Sequence, residues 1–268
     1  MVLAEGFDPL TGSDLASFSL DAQTMACIPS ARDAAREPVL ERLGISGLLL
    51  ERYRALLHAP HGLVVVCSPS QNGKTATLHA SVEERSFPGR VQKALVLDEI
   101  RDRVTATYAT AAALRAQMVL ATVCANNAAT AVERLMHLAP GPQLAAALRG
   151  IVSQRLLRKL CVACRRWHRL SPELKKKFGL LHMTHAYRAQ GCAHCNGTGY
   201  SAQIGIFALL LVDEALRGAI NAGLPEAALA DVAAAGGYGP MRIDGIRKAR
   251  LGDTSFEELD AVMLGRTK

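Results

Sequence analysis

Two kinds of apolar pattern alternate along the first half of this chain. Residues 39–57, VLERLGISGLLLERYRALL, return apolar side chains at helical spacing, whereas LVVVC at 63–67 is an unbroken apolar run. A helix followed by a strand buried on both faces is the reading. ATLHASVEER (76–85) is again helical, Pro88-Gly89 breaks it, and ALVLDE (94–99) predicts a second buried strand. VTATYATAAALRA (104–116) predicts a helix, MVLATVCA (118–125) a third strand and ATAVERLMHL (129–138) another helix. Strand, helix and strand in this order are the units of a parallel sheet.

From about Leu144 the pattern changes. AAALRGIVSQRLLRKL predicts a basic helix, followed by a cysteine-bearing segment and a mostly helical C-terminus. Three segments are therefore expected: an irregular N-terminal remnant at 1–40, an α/β core at 41–150, and a C-terminal domain at 151–268. No repeat or low-complexity tract interrupts them.

Composition narrows this picture. A chain of 268 residues suits about two domains, and 50% hydrophobic with 4% aromatic residues implies an aliphatic core. The net charge of +7 favours acidic partners without naming one. No apolar run approaches the roughly 18 residues of a membrane span, and MVLAEGFDPL lacks the features of a secretion signal. A cytoplasmic protein with at most peripheral membrane contact is expected. Seven cysteines, an odd number, argue for thiols or thiolates over a disulfide framework.

Three stretches carry candidate chemistry. Ser68-Pro69-Ser70-Gln71-Asn72-Gly73-Lys74-Thr75 joins the first strand to a helix. That is the setting of a phosphate-binding loop, in which backbone N–H groups meet phosphate oxygens, a lysine reaches the β/γ-phosphates and a hydroxyl holds Mg²⁺. A solvated turn is the alternative. Ser68 and Gln71 stand where glycines would be favoured if the backbone required positive φ. Asp98-Glu99, ending the second strand, places carboxylates where they hold Mg²⁺ or polarise water, or else forms a solvated strand end.

Cys161-Val162-Ala163-Cys164 and Cys192-Ala193-His194-Cys195 are two CxxC knuckles, able to place four thiolates on one tetrahedral zinc ion. The segment between them must loop out and return. Redox dithiols or buried cysteines are the alternatives. Cys27, Cys67 and Cys124 read as small buried hydrophobes, and Lys175-Lys176-Lys177 as a solvated face, with contact to lipid headgroups or nucleic acid as the alternative.

In this order the motifs resemble the GspE/PilB secretion ATPases of type II secretion and type IV pilus assembly, over about residues 38–266. HGLVVVCSPSQNGKTATLHA is similar to the family's Walker A strand and loop, ALVLDEIRD to its Walker B strand, and MVLATVCANNAATAVERL to its His box. CVAC with CAHCNGTGYSAQIGIFALLLVDEALR resembles its tetracysteine region, and MRIDGIRKARLGDTSFEEL its C-terminal tail.

The resemblance implies a RecA-like P-loop domain that binds ATP through Ser68 to Thr75. Lys74 would meet phosphate, Thr75 Mg²⁺, and Glu99 would act as the Walker B glutamate. It implies zinc on Cys161, Cys164, Cys192 and Cys195. The partners implied are a hexameric ring, of this chain alone or with an active homologue, and an inner-membrane platform protein; nucleic acid is not among them. Departures point toward weak or lost hydrolysis. Ser68 and Gln71 replace glycines, Cys124 replaces the His-box histidine, Ala202-Gln203 replaces a glycine and arginine, and Thr75 and Glu99 lie too close in sequence to hold the family's Asp box. The large N-terminal domain that helps cover the nucleotide is also nearly absent. A non-catalytic subunit on the same fold is the alternative function.

Overall fold

The computed structural model describes residues 39–85 and 94–265. The N-terminal remnant therefore lies almost wholly outside the described residues, as does the Pro88-Gly89 break.

Helices α1 (Val39–Arg42) and α2 (Gly47–Leu57) precede strand β1 (Gly62–Ser68), and α3 (Lys74–Arg85) follows it. Next come β2 (Ala94–Leu97), α4 (Arg103–Leu114), β3 (Met118–Cys124), α5 (Ala128–Leu138) and α6 (Gly141–Ala147). The chain continues through β4 (Leu148–Leu160), β5 (Arg166–Arg169), α7 (Pro172–Phe178), β6 (His185–Arg188) and β7 (Tyr200–Leu211). Helices α8 (Glu214–Asn221), α9 (Glu226–Ala235), α10 (Arg242–Leu251) and α11 (Phe256–Met263) complete it.

The main sheet has the order β2-β3-β1-β4-β7. The first four strands are parallel, and β7 runs antiparallel to β4. Both faces are covered, which is why β1 reads as an unbroken apolar run. Leu63, Val65 and Cys67 share a core with the buried faces of α4, α5, α6, α8 and α9. Val64 and Val66 point the other way, into a core with Leu40, Tyr53, Leu57, Leu78 and Phe207. The period of two along a strand divides a single run between two cores.

One expected helix is a strand. The residues at 148, 151, 152, 156 and 157 have helical spacing, but α6 stops at Ala147 and the next 13 residues form β4. Tertiary pairing overrides the local pattern. Leu63 to Cys67 of β1 take one edge of β4, and β7 takes the other from Gly150 to Leu160. Gly150 fits this crowded position because an added Cβ would lie 2.9 Å from the Leu210 carbonyl oxygen and 2.7 Å from Leu56 Cδ2. The strand carries the sheet straight across residue 150, and the run of C-terminal helices begins only at Glu214.

Beyond β1, the far halves of β4 and β7 form a third core. Leu157, Ile206 and Ala208 pack there with Leu170, Phe178, Leu180 and Ala186, and with Phe256, Leu259 and Val262 of α11. The pair β5 and β6 forms a separate two-stranded ribbon. No described helix is long and apolar enough to cross a membrane.

Candidate functional site

The loop Ser68 to Thr75 leaves the C-terminal end of β1 and opens directly into α3, whose first residue is Lys74. Open α/β sheets bind ligands at this edge. The two replaced glycines differ in consequence. Ser68 is not among the residues with positive φ; it is buried and its hydroxyl donates to the Pro69 carbonyl at 2.8 Å. No glycine is needed there. Gln71 does adopt the left-handed region, with φ 59°, as does Gly73 with φ 77°. For a residue with a β-carbon the left-handed conformation costs roughly 1–2 kcal/mol, so strain in this loop sits at Gln71.

The loop is held from behind by β4. Asn72 Oδ1 accepts from the Leu156 N–H at 3.2 Å, and the Asn72 carbonyl accepts from Gln154 Nε2 at 2.9 Å. Gln154 is buried, and its Oε1 accepts from Thr77 Oγ1 in the first turns of α3 at 2.5 Å. One amide thus ties loop to helix and meets both its donor and acceptor requirements. Sequence reasoning missed Gln154, because residues read as a helix offered no reason to face a loop 82 positions earlier.

Lys74 Nζ folds back to the Ser68 carbonyl at 3.3 Å, so an ammonium already stands across the loop. Thr75 is exposed at the helix start. Asp98 and Glu99 follow β2 at the same edge of the sheet. The Asp98 carbonyl accepts from Thr122 Oγ1, the Ile100 N–H donates to the Thr122 carbonyl at 2.8 Å, and Glu99 Oε2 lies 3.0 Å from both Arg101 Nε and Nη2.

Cys124 ends β3, the strand between these two, in register with Ser68. It is half-buried, and its Sγ lies 3.6 Å from Ser70 Oγ. Exposed Arg134 also reaches this edge, donating to the Cys124 carbonyl at 3.1 Å. Cys67 behaves as expected of a buried hydrophobe. Burial pushes its thiol up to about 12 despite a 3.3 Å contact with Ser153 Oγ.

The second cluster begins where β4 ends. Cys161 N–H donates to the Gly199 carbonyl at 2.9 Å, closing the neck of the segment that loops out through β5, α7 and β6 and returns. Sulfur separations are 4.0 Å for Cys161–Cys192, 3.7 Å for Cys164–Cys195 and 3.7 Å for Cys192–Cys195. All four sulfurs lie within 4.8 Å of one another. A zinc ion with bonds of about 2.3 Å in a tetrahedron requires sulfurs about 3.8 Å apart, so the donor set fits.

Backbone N–H groups of Cys192 and Gly199 point at Cys195 Sγ at 3.3 and 3.1 Å. Against the opposing effect of burial, these and the neighbouring thiols draw the Cys195 thiol down to about 6, while burial raises Cys164 to about 11. His182 and His185 are not in the cluster; the His185 ring stacks on Trp167 instead.

A mostly parallel sheet with a strand–loop–helix unit at the C-terminal end of β1 has the architecture of the P-loop fold. The Type II/IV secretion system protein family model matches residues 93–261, and the chain belongs to that family. It is 30% identical to the type IV pilus assembly ATPase PilB of Thermus thermophilus over 272 aligned positions, covering 85% of this chain and 31% of the relative. It is 32% identical to the type II secretion system protein HxcR of Pseudomonas aeruginosa, covering 82% of this chain and 52% of that protein.

The chain therefore spans about a third of the one relative's length and about half of the other's. The 272 aligned positions exceed the 268 residues of the entire chain while covering only part of it, so PilB carries residues within the aligned stretch that this chain lacks. Among solved structures, the Legionella pneumophila ATPase DotB shares the fold with a TM-score of 0.59 at 13% identity, covering 85% of this chain and 66% of DotB. The pilus retraction motor PilT, solved with bound ADP, gives 0.55 at 18%, covering 84% of this chain and 66% of PilT.

Proposed function

We propose that this chain is an ATP-binding subunit of a type II secretion or type IV pilus assembly machine, in which nucleotide binding is coupled to pilin or pseudopilin assembly. The observation that carries the reading is the loop itself: Gln154 and Leu156 hold it against α3 while Lys74 stands across it. Phosphates would sit on the backbone N–H groups at the start of α3. Lys74 would exchange the Ser68 carbonyl for β/γ-phosphate oxygens, and Thr75 would offer its hydroxyl to Mg²⁺. Bound there, Mg²⁺ supplies charge neutralisation between the phosphates. Glu99, at the same edge of the sheet two strands away, would orient water, with Arg101 holding its carboxylate.

The partners in this proposal are further copies of the chain or an active homologue in a ring, and an inner-membrane platform protein met from the cytoplasmic side. Zinc on the four cysteines would be structural, since four sulfur ligands leave no open position.

A second reading has specific support. Cys124, which cannot supply the chemistry of an imidazole, lies beside Ser70, and the PilB alignment contains residues that this chain lacks. A subunit that binds nucleotide without turning it over, serving an active relative structurally, agrees with both. Titration of ATP with magnesium against wild type and Lys74→Ala, followed by steady-state hydrolysis beside Glu99→Gln, separates the readings. Binding with Glu99-dependent turnover supports the motor, binding without turnover the structural subunit, and equal affinity in both proteins removes the nucleotide site.

A further inference from the structure

The positive charge of this chain is concentrated in one place. Residues 158–200 hold nine Lys and Arg against a single acid, Glu173, an excess of eight, while the whole chain has a net charge of +7. Everything outside that segment is therefore close to neutral.

Part of the excess is answered by α11. Glu258 pairs with Arg158 at 2.6 Å, Glu257 lies 3.8 Å from Arg188, and Asp260 pairs with Lys177. Arg165 lies over the Tyr187 ring and donates to the Gly252 carbonyl, and Arg166 donates to Gln190. Lys159, Arg169, Lys175 and Lys176 have no acidic partner among the described residues.

Exposed apolar side chains accompany these bases. All four residues of β5 are exposed, including Trp167 at 59%. Its ring is held between neighbours, stacked on His185 and edge-on to Tyr187 with centroids 5.0 Å apart. The two most exposed large hydrophobics among the described residues belong to the same module: Leu181 at 79% and Val162 at 69%.

The chain turn after α7 explains Leu181. Gly179 adopts the left-handed cap conformation and the Leu180 N–H returns to the Lys175 carbonyl at 2.8 Å, so Phe178 and Leu180 face the core and Leu181 faces solvent. Val162 lies between the first two cysteines, where the knuckle backbone presents it outward. Leu170, Phe178, Leu180 and Ala186 pack into one core, so β5, α7 and β6 form a single body.

We infer that this module, the β5–β6 ribbon with α7 and the first cysteine knuckle, docks directly on an anionic lipid bilayer. Trp167, Leu181 and Val162 enter the interface, and Lys159, Arg169, Lys175 and Lys176 face the headgroups. Indole rings favour the headgroup level, and each basic residue near an anionic surface adds attraction. The two aliphatic side chains decide between lipid and nucleic acid. They have no flat face for a base to stack on, yet they gain free energy on leaving water for acyl chains. The site needs neither nucleotide nor ring assembly.

Trp167 is the only tryptophan in the chain, so its emission reports the docked state directly. The zinc-loaded full chain is mixed with vesicles of phosphatidylcholine alone or with phosphatidylglycerol, with and without brominated acyl chains. Emission should shift to the blue and be quenched by brominated lipid only where phosphatidylglycerol is present. Lys175→Gln with Lys176→Gln should weaken vesicle pelleting roughly thirtyfold, and Leu181→Ser about tenfold. Both variants should keep wild-type zinc content and circular dichroism; if either does not, Val162→Ser and Lys159→Gln replace them. No binding to phosphatidylglycerol vesicles, or binding without quenching by brominated lipid, overturns the inference. Quenching of Trp167 by a single-stranded oligonucleotide but not by lipid would reassign the surface to nucleic acid.

Discussion

The Ser68 to Thr75 loop and the tetracysteine cluster are both anchored on β4, the first by Gln154 and Leu156 and the second by Cys161 just past its end. They differ in what each needs from elsewhere. The cluster is complete within one chain: four sulfurs at near-tetrahedral spacing, two of their backbone donors, and a closed neck. The loop has its cradle and its lysine, but Cys124 stands at the His-box position and the strand–helix unit after Thr75 is short. A site whose requirement is local sulfur geometry is met by two knuckles. A site whose requirement is converging charge draws on several segments, and any one of them can be missing. Binding and structure are therefore expected to be intact where catalysis is not.

The largest effect should come from the metal. One zinc per chain is expected by metal analysis, and since structural zinc contributes on the order of 10 kcal/mol in small domains, chelation or Cys161→Ser with Cys164→Ser should abolish cooperative thermal unfolding of the C-terminal half. Retained zinc in that variant would end the contrast. Hydrolysis comes next. Charged groups in phosphoryl transfer are worth about 10³ to 10⁵ in rate, so turnover should lie at least about 10³-fold below that of an intact relative assayed alongside. A comparable rate, lost in Glu99→Gln, would mean that the missing charges come from another part of the chain.

Lys74→Ala should weaken ATP binding roughly tenfold to a hundredfold, the range of one charge-assisted hydrogen bond, in a calorimetric titration with magnesium. Gln154→Ala leaves Thr77 and the Asn72 carbonyl short of a buried partner. A loss of about 1–3 kcal/mol in urea unfolding is expected, together with weaker nucleotide binding. The smallest change is Gln71→Gly. Relief of left-handed strain, roughly 1–2 kcal/mol, less what the freer unfolded chain takes back, should leave a net stabilisation of at most about 1 kcal/mol.

The parts of this architecture that sequence reveals are those with local causes. Buried parallel strands read as apolar runs because both faces are covered, and β1 and β3 were legible for that reason; β2, expected as a buried strand, is an edge strand in which only Leu97 is fully buried. The cysteine knuckles were legible because ligand spacing is a local property. β4 was not, because its apolar positions coincide with a helical period and only its pairing with β1 and β7 decides otherwise. Gln154 was hidden with it. Ser68 shows the reverse: it looks like a defect beside the usual glycine, but its backbone does not enter the region where glycine matters.

The closed neck below the cysteines also bears on how the chain reaches this fold. β4 and β7 pair along most of their lengths, yet nearly forty residues separate Leu160 from Tyr200. Bringing the strands into register from an open chain carries the entropy of closing that loop before any ladder bond forms. A metal ion gathering Cys161 and Cys195 shortens the effective loop to a few residues, which lowers the closure cost by about 2 kcal/mol. The ion would then act early, as a nucleus from which the antiparallel ladder zips toward Gly150 and completes the edge on which β1 docks. Refolding from denaturant should be slower when zinc is added after dilution than when it is present from the start, even though both samples reach the same final state.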